Sequence, residues 1–242
     1  MLRKDGLDNE SLRDCQIQRG VSKYAEGSCS IFMGDTKILC TATVQEFVPR
    51  WRQDGDEGWV TGEYAMLPRS TSERTDRESH RGHRQGRSME IERLIGRSLR
   101  AITNLKALGS RTIVVDCDVV QADGGTRCAA VTGGYVALAE ACGWLLHKKR
   151  IKTWPLESPV AAISLGVVAG EMMLDLCYEE DSRAAVDMNL IMTGRGGVVE
   201  VQATAEGDPF SVVQLGQMMT LGQKGLKTLL VIQAQAVEGL QP

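Results

Sequence analysis

The sequence predicts an α+β fold with mixed sheets, built from two similar halves that form a single unit spanning 1–242. Three observations carry this. β-prone runs recur in pairs about short turns at Ser28 to Gln45, Val160 to Cys177 and Val186 to Thr204, the pattern of hairpins. Segments of helical apolar spacing separate them, so the order is hairpin, helix, strand, helix, hairpin, hairpin, helix. No linker divides the chain: Trp154-Pro155 to Pro159 is the one proline-rich join and it is short, which favours one compact unit with an internal pseudo-repeat.

The elements follow from local chemistry. The first hairpin turns at Gly34-Asp35, the second at Ala169-Gly170 and the third at Gly194 to Gly197. From Ser88 to Leu108, Ile91, Leu94, Ile95, Leu99, Ile102 and Leu105 recur at steps of three and four, which places them on one helix face. Arg93, Arg97, Arg100 and Asn104 recur on the opposite face, and Gly109 is a natural stop. Thr112 to Gln121, TIVVDCDVVQ, is an apolar strand interrupted on one face by Asp116 and Asp118. Cys128 to Leu146 is apolar nearly all round and predicts a buried helix, and Phe210 to Leu240 carries helical spacing again.

Composition narrows the function classes. With 43% hydrophobic and 24% charged residues the chain is globular and not disordered. The charged start, MLRKDGLDNESLRDC, has no apolar core of a secretory signal, and no apolar run approaches the roughly 20 residues of a bilayer span, so no membrane association is expected. Seven cysteines, an odd set without a CxxC pair, predict reduced thiols and a cytoplasmic location. His80 and His83 lie among arginines without a partner set at zinc spacing. The net charge is only −3, yet Arg69 to Arg100 holds nine arginines against five acids, a local basic surface that implies a localised anionic ligand.

Three segments carry candidate chemistry. Between Gln121 and Arg127 the chain reads QADGGTR, where a strand hands over to a helix through adjacent glycines. Such a junction leaves backbone N–H groups converging on one spot, which suits phosphate, and Arg127 adds a planar fork of donors. A tight turn alone would read the same way, and neither GxxxxGK[ST] nor GxGxxG is present. The second segment, YAMLPRST from Tyr64, leads into a charged stretch expected to be a mobile loop from about Ser70 to Gly86. Its Arg69, Arg74 and Arg77, with Arg93 and Arg97 of the following helix, form either a track for a nucleic-acid backbone or a solvated surface of mixed sign. The third, EEDSRAAVDMN, sets Asp181 and Asp187 between strands, where a hydrated divalent cation or plain solvation would both account for them.

These motifs occur in order along nearly the whole chain: EGS and GDTKILCTATV, GWVTGEYAMLPRST, GRSMEIERLIGRSLRA, DCDVVQADGGTRCAAVTGG, EEDSRAAVDMNLIMT and EVQATAEGDPF. Together they resemble the ribonuclease PH family, the bacterial phosphorolytic exoribonucleases also called tRNA nucleotidyltransferases. The resemblance implies a duplicated β/α core with a left-handed βαβ crossover and a homohexameric ring, a trimer of dimers. It implies that inorganic phosphate attacks the 3′-terminal phosphodiester of tRNA precursors and other RNA 3′ ends, releasing nucleoside diphosphates. By the same resemblance Arg87, Gly125, Thr126 and Arg127 hold the phosphate, while Asp181 and Asp187 bind Mg2+ or assist proton transfer. The chain departs from the family pattern at Leu7, where arginine is usual, at Cys128, where a hydroxyl residue is common, and at Ala203, where glycine is common. A non-catalytic, RNA-binding ring subunit is the alternative, against which the complete arginine and aspartate set stands.

Overall fold

The computed structural model describes residue 3 and residues 6–53, 55–78 and 86–241. His80, His83 and the arginines at 81 and 84 lie outside the described residues.

The first half forms a five-stranded sheet in the order β1-β2-β3-β5-β4, from β1 (Cys15–Arg19), β2 (Gly27–Met33), β3 (Thr36–Gln45), β4 (Trp59–Met66) and β5 (Thr112–Gln121). Among the described residues one strand pair is parallel, β4 with β5, joined through α1 (Gly86–Arg100) and α2 (Leu105–Leu108), and the crossover belongs to this pair. The second half is a four-stranded antiparallel sheet in the order β7-β6-β8-β9, from β6 (Val160–Val168), β7 (Glu171–Leu174), β8 (Val186–Thr193) and β9 (Val198–Ala205). All three hairpins expected from the sequence are present. Two strands it did not single out, β1 and β4, form the edges of the first sheet.

Helix α3 (Thr126–His147) lies between the two sheets. Its Gly133 sits against Ile31 and Cys40 of the first sheet, while its Thr132 hydroxyl exchanges hydrogen bonds with the backbone of Ala162 in β6. That two-sided contact explains why α3 is apolar all round. Leu138 and Leu145 are fully buried within it, and truncating either to alanine would cost about 2–5 kcal/mol. Contrary to the expectation that no apolar run approaches a bilayer span, α3 is by length and composition apolar enough to cross one, but its burial between sheets makes it a core helix.

Helix α1 covers the β4 side of the first sheet, and α5 (Val212–Ala236), capped by the Ser211 side chain on the Gln214 amide, covers the far face of the second. One cluster of buried apolar side chains runs through both sheets and the helices between and beside them. The opposite face of the first sheet stays partly open and carries Glu63, Asp116 and Asp118.

The helix expected over Ser88 to Leu108 is interrupted. It ends at Arg100, the chain bends, and a short α2 follows. Two polar side chains sit at the break: Thr103 Oγ1 donates to Leu99 O (2.7 Å), and Asn104, expected on the helix surface, instead caps α2 by accepting from the Ala107 amide (3.0 Å), while the Thr103 and Asn104 backbones are drawn to Leu156 and Pro155.

Candidate active site

The QADGGTR turn joins β5 to α3. Gly124 and Gly125 both adopt left-handed backbone, with φ of 72° and 65°. Gly125 is the N-cap of α3 and no side chain caps it, so the first amides of the helix remain free to meet an anion. The turn is also pressed against the other half of the molecule. A Cβ on Gly124 would lie 2.3 Å from Leu176 O and 2.7 Å from Cys177 C, both backbone atoms of the segment that carries Asp181.

Side chains that sequence reasoning did not single out hold this turn. Thr36 Oγ1 donates to Gly124 O (2.7 Å) and accepts from Asp123 N (2.9 Å). Arg13 donates to Asp123 O (2.5 Å) and grips the Asp175 carboxylate at 2.7 and 3.1 Å. Arg13 and Asp175 are 5% and 0% exposed, so removing either partner would leave an uncompensated buried charge. Asp123 Oδ1 in turn accepts from the Tyr178 amide (3.1 Å), which docks the acidic loop onto the turn.

Thr126 is buried, and its hydroxyl lies 2.9 Å from that of Tyr64, itself buried at the end of β4. Burial pushes the Tyr64 phenol above its ordinary pKa, keeping it neutral and able to share its proton with Thr126. Arg127 is mostly buried; its Nη1 donates to Gln202 Oε1 (2.8 Å) and to Glu90 Oε1 (3.3 Å). Arg87 stands exposed near the start of α1.

Asp181 ends the one-turn helix α4 (Tyr178–Asp181), and Asp187 is the second residue of β8. Both carboxyls are half-buried. Burial raises the pKa of Asp187, and the Asp181 charge raises it further against the opposing pull of Arg127 and Arg87. Burial also raises Asp181, opposed by Arg87, Arg127 and Arg13. The structure therefore brings Arg87, Arg127, Asp181 and Asp187 into one electrostatic neighbourhood, although their segments are far apart in sequence. Cys128 is buried with its pKa raised by burial, and its Sγ donates to Asn189 Oδ1 (3.2 Å), so this departure from the family pattern still supplies a hydrogen-bond donor.

Among the described residues no group of three or more acidic, histidine or cysteine side chains could hold a metal by itself. Magnesium retains several waters and takes one or two protein oxygens together with phosphate oxygens, so it needs no larger group than the Asp181 and Asp187 carboxyls, the first of which acts electrostatically on the second.

The arginines expected to meet RNA separate into two groups. Arg93 and Arg97 line a cleft of about 470 Å³ between α1 and β9, with Glu90, Glu200 and Gln202, next to Arg127. Arg97 is paired with Glu200 there. Arg69, Arg74 and Arg77 are exposed on the segment after β4, where Arg74 pairs with Asp76 (2.7 Å) and Arg77 lies near Asp118; none of the three touches Arg127 among the described contacts.

Comparison with known proteins returned consistent relatives. The sequence models described as the 3′ exoribonuclease family, domain 1 and domain 2, match residues 11–142 and 158–225. Ribonuclease PH of Methylorubrum populi is 51% identical over 228 residues, covering 94% of this chain and 96% of the relative. Ribonuclease PH of Moorella thermoacetica is 52% identical over 237 residues, covering 98% and 95%. Among solved structures, rice Rrp46 superposes with a TM-score of 0.74 at 20% identity, covering 99% of this chain and all of that one. The Archaeoglobus fulgidus exosome with RNA bound to the active site gives a TM-score of 0.80 at 19% identity, covering 94% and 91%. At those identities the two structures establish the shared fold.

Proposed function

The chain belongs to the ribonuclease PH family of 3′ exoribonucleases, and from that premise we propose how its own residues carry out phosphorolysis. It is a phosphate-dependent 3′-to-5′ exoribonuclease that trims tRNA precursors, a tRNA nucleotidyltransferase with inorganic phosphate as co-substrate. The observation that supports the site assignment best is the convergence of a free helix N-terminus and two arginines on a pair of carboxylates.

Phosphate is a poor nucleophile facing an anionic diester, so the main tasks are to neutralise both groups and align them in line. In this reading Arg127, the Gly125 and Thr126 amides and the Thr126 hydroxyl hold the attacking phosphate from one side, and Arg87 closes from the other. Their donors are preorganised: Tyr64 fixes Thr126, and the Arg13–Asp175 pair and Thr36 fix the turn. Asp181 and Asp187 would hold magnesium, which supplies charge stabilisation for the leaving 3′ oxygen. Arg93 and Arg97 line the approach for the RNA backbone, and Arg69, Arg74 and Arg77 meet a more distant part of the substrate.

We further propose that the two halves act as one domain with an internal pseudo-repeat, that the chain assembles as a cytoplasmic homohexamer, a trimer of dimers, and that no membrane is involved. A sedimentation mass near a single 26.4 kDa chain would refute the ring. The site assignment is tested by Arg127→Ala, which removes a charge-assisted contact of about 1.5–3 kcal/mol in the ground state and more in the transition state. Phosphorolysis should be lost with the melting profile retained; an unchanged rate would show that the turn is only a turn.

A further inference from the structure

Gln202 lies on β9 opposite Asn189 of β8, and its amide sits in the middle of a charged network that phosphate chemistry alone does not require. Its Oε1 accepts from Arg127 Nη1 (2.8 Å), while its Nε2 donates to Glu90 Oε1 (3.0 Å) and to Glu200 Oε1 (3.0 Å). The orientation of this amide is dictated by its neighbours, because a guanidinium only donates and carboxylates only accept. Glu90 Oε1 also reaches Arg127 Nη1, but at 3.3 Å, a longer contact than the amide makes.

The consequence is electrostatic. Arg127 has two carboxylates nearby, Glu90 within reach and Glu200 one residue further along the network. A carboxylate that closed fully on the guanidinium would compete with any incoming anion for the same donors. The neutral amide takes the shorter contact on Arg127 Nη1 without contributing charge, and its Nε2 shares Glu90 Oε1, whose ion pair with Arg127 stays at 3.3 Å. We infer that Gln202 is a positioning residue for the phosphate-binding arginine: it aims Arg127 and limits Glu90 to a single long contact with it, setting the affinity for phosphate. The inference rests on Arg127 binding phosphate, as proposed above.

The test is steady-state phosphorolysis of a CCA-ended RNA with phosphate titrated, for the native protein, Gln202→Glu, Gln202→Ala and the double variant Gln202→Ala with Glu90→Gln. The phosphate KM should rise about tenfold in Gln202→Ala, the scale of one misplaced charge-assisted contact, and further in Gln202→Glu, which adds a third carboxylate. The phosphate KM should change by a larger factor than the rate at saturating phosphate; the KM for RNA rises too in Gln202→Glu, because the added charge lies in the cleft lined by Arg93 and Arg97. Glu90→Gln in the Gln202→Ala background should bring the phosphate KM most of the way back, which a merely structural role for Gln202 would not allow. An unchanged phosphate KM in Gln202→Glu, or no recovery in the double variant, overturns the inference. Gln202→Glu is nearly isosteric, so it carries the test if Gln202→Ala does not fold. Calorimetric titration with inorganic phosphate alone separates the two readings. Phosphate bound by the native protein and weakened by Gln202→Glu, without phosphate-driven RNA shortening, retires phosphorolysis and keeps the role of Gln202. Normal phosphorolysis with phosphate binding unaltered in Gln202→Glu retires Gln202 instead.

Discussion

Gly124→Ala and Gly125→Ala are chemically the same change on adjacent residues, and the structure predicts different outcomes. Both positions have positive φ, which costs a side-chain-bearing residue about 1–2 kcal/mol. At Gly125 the added methyl would meet Ser164 Oγ at 3.3 Å and Arg13 Nη2 at 3.4 Å, contacts that small shifts can relieve. At Gly124 it would meet three backbone atoms of Leu176, Cys177 and Tyr178 at 2.3, 2.7 and 2.9 Å, so a whole segment must move. Forcing such a contact adds about 1–3 kcal/mol, for a total of roughly 2–5 kcal/mol at Gly124. At about 2–4 °C per kcal/mol for a chain of this size, Gly124→Ala should melt on the order of 10 °C below the native protein and Gly125→Ala a few degrees below. Because the displaced segment leads to Asp181, Gly124→Ala should also lose most phosphorolysis at temperatures where it is folded. Calorimetric melting and a phosphorolysis assay on both variants check this. Equal melting points, or native activity in Gly124→Ala, would refute the claim that the turn and the acidic loop are locked through this glycine.

Tyr64→Phe removes the hydroxyl that fixes Thr126, so the phosphate KM should rise several-fold while the saturated rate changes little; a normal phosphate titration would contradict it. Asp187→Asn should weaken magnesium binding by about tenfold or more in a calorimetric titration without RNA. It should also melt no lower than the native protein without metal, because burial and Asp181 already disfavour the Asp187 charge. Asp116, on the open face of the first sheet, has its carboxyl raised from 3.8 by burial and then by Glu63 and Asp118. An unfolded chain ionises it near 3.8, so its charge costs the folded state nothing below that pH and the full amount above the raised folded value. Asp116→Asn should therefore raise the melting point near neutrality and leave it unchanged in acid; the reverse pattern in a pH series would refute the assignment.

Much of this was legible in the sequence, for definable reasons. The hairpins, β5 and α3 are written in local periodicity and turn chemistry, and the phosphate turn in its paired glycines. Strand β4 was obscured because Gly62 interrupts its apolar pattern, and that glycine is needed where Ile95 of α1 crosses: a Cβ there would lie 2.5 Å from Ile95 Cγ2. Strand β1, CQIQR, is short, polar and mostly exposed, and is formed by pairing with β2 rather than by its own propensity. The break after Arg100 depends on Thr103 bridging to Leu156 and on the Asn104 amide donating to Pro155 O, contacts across some 50 residues that no window of sequence contains. For the same reason Arg87, Arg127, Asp181 and Asp187 could be grouped by resemblance, but the residues that aim them could not. Tyr64, Arg13, Asp175 and Gln202 act through partners on other elements. Only Tyr64 and Gln202 lay within motifs the sequence had marked, and nothing local distinguished their roles.

The central claim is that inorganic phosphate is the attacking reagent. The most direct measurement supplies radiolabelled inorganic phosphate with an unlabelled tRNA precursor and magnesium, then separates the mononucleotide products. The account predicts shortening that depends on phosphate and nucleoside diphosphates carrying the label in their β-phosphate. Unlabelled nucleoside monophosphates, released equally well without added phosphate, would show that water is the nucleophile and contradict it.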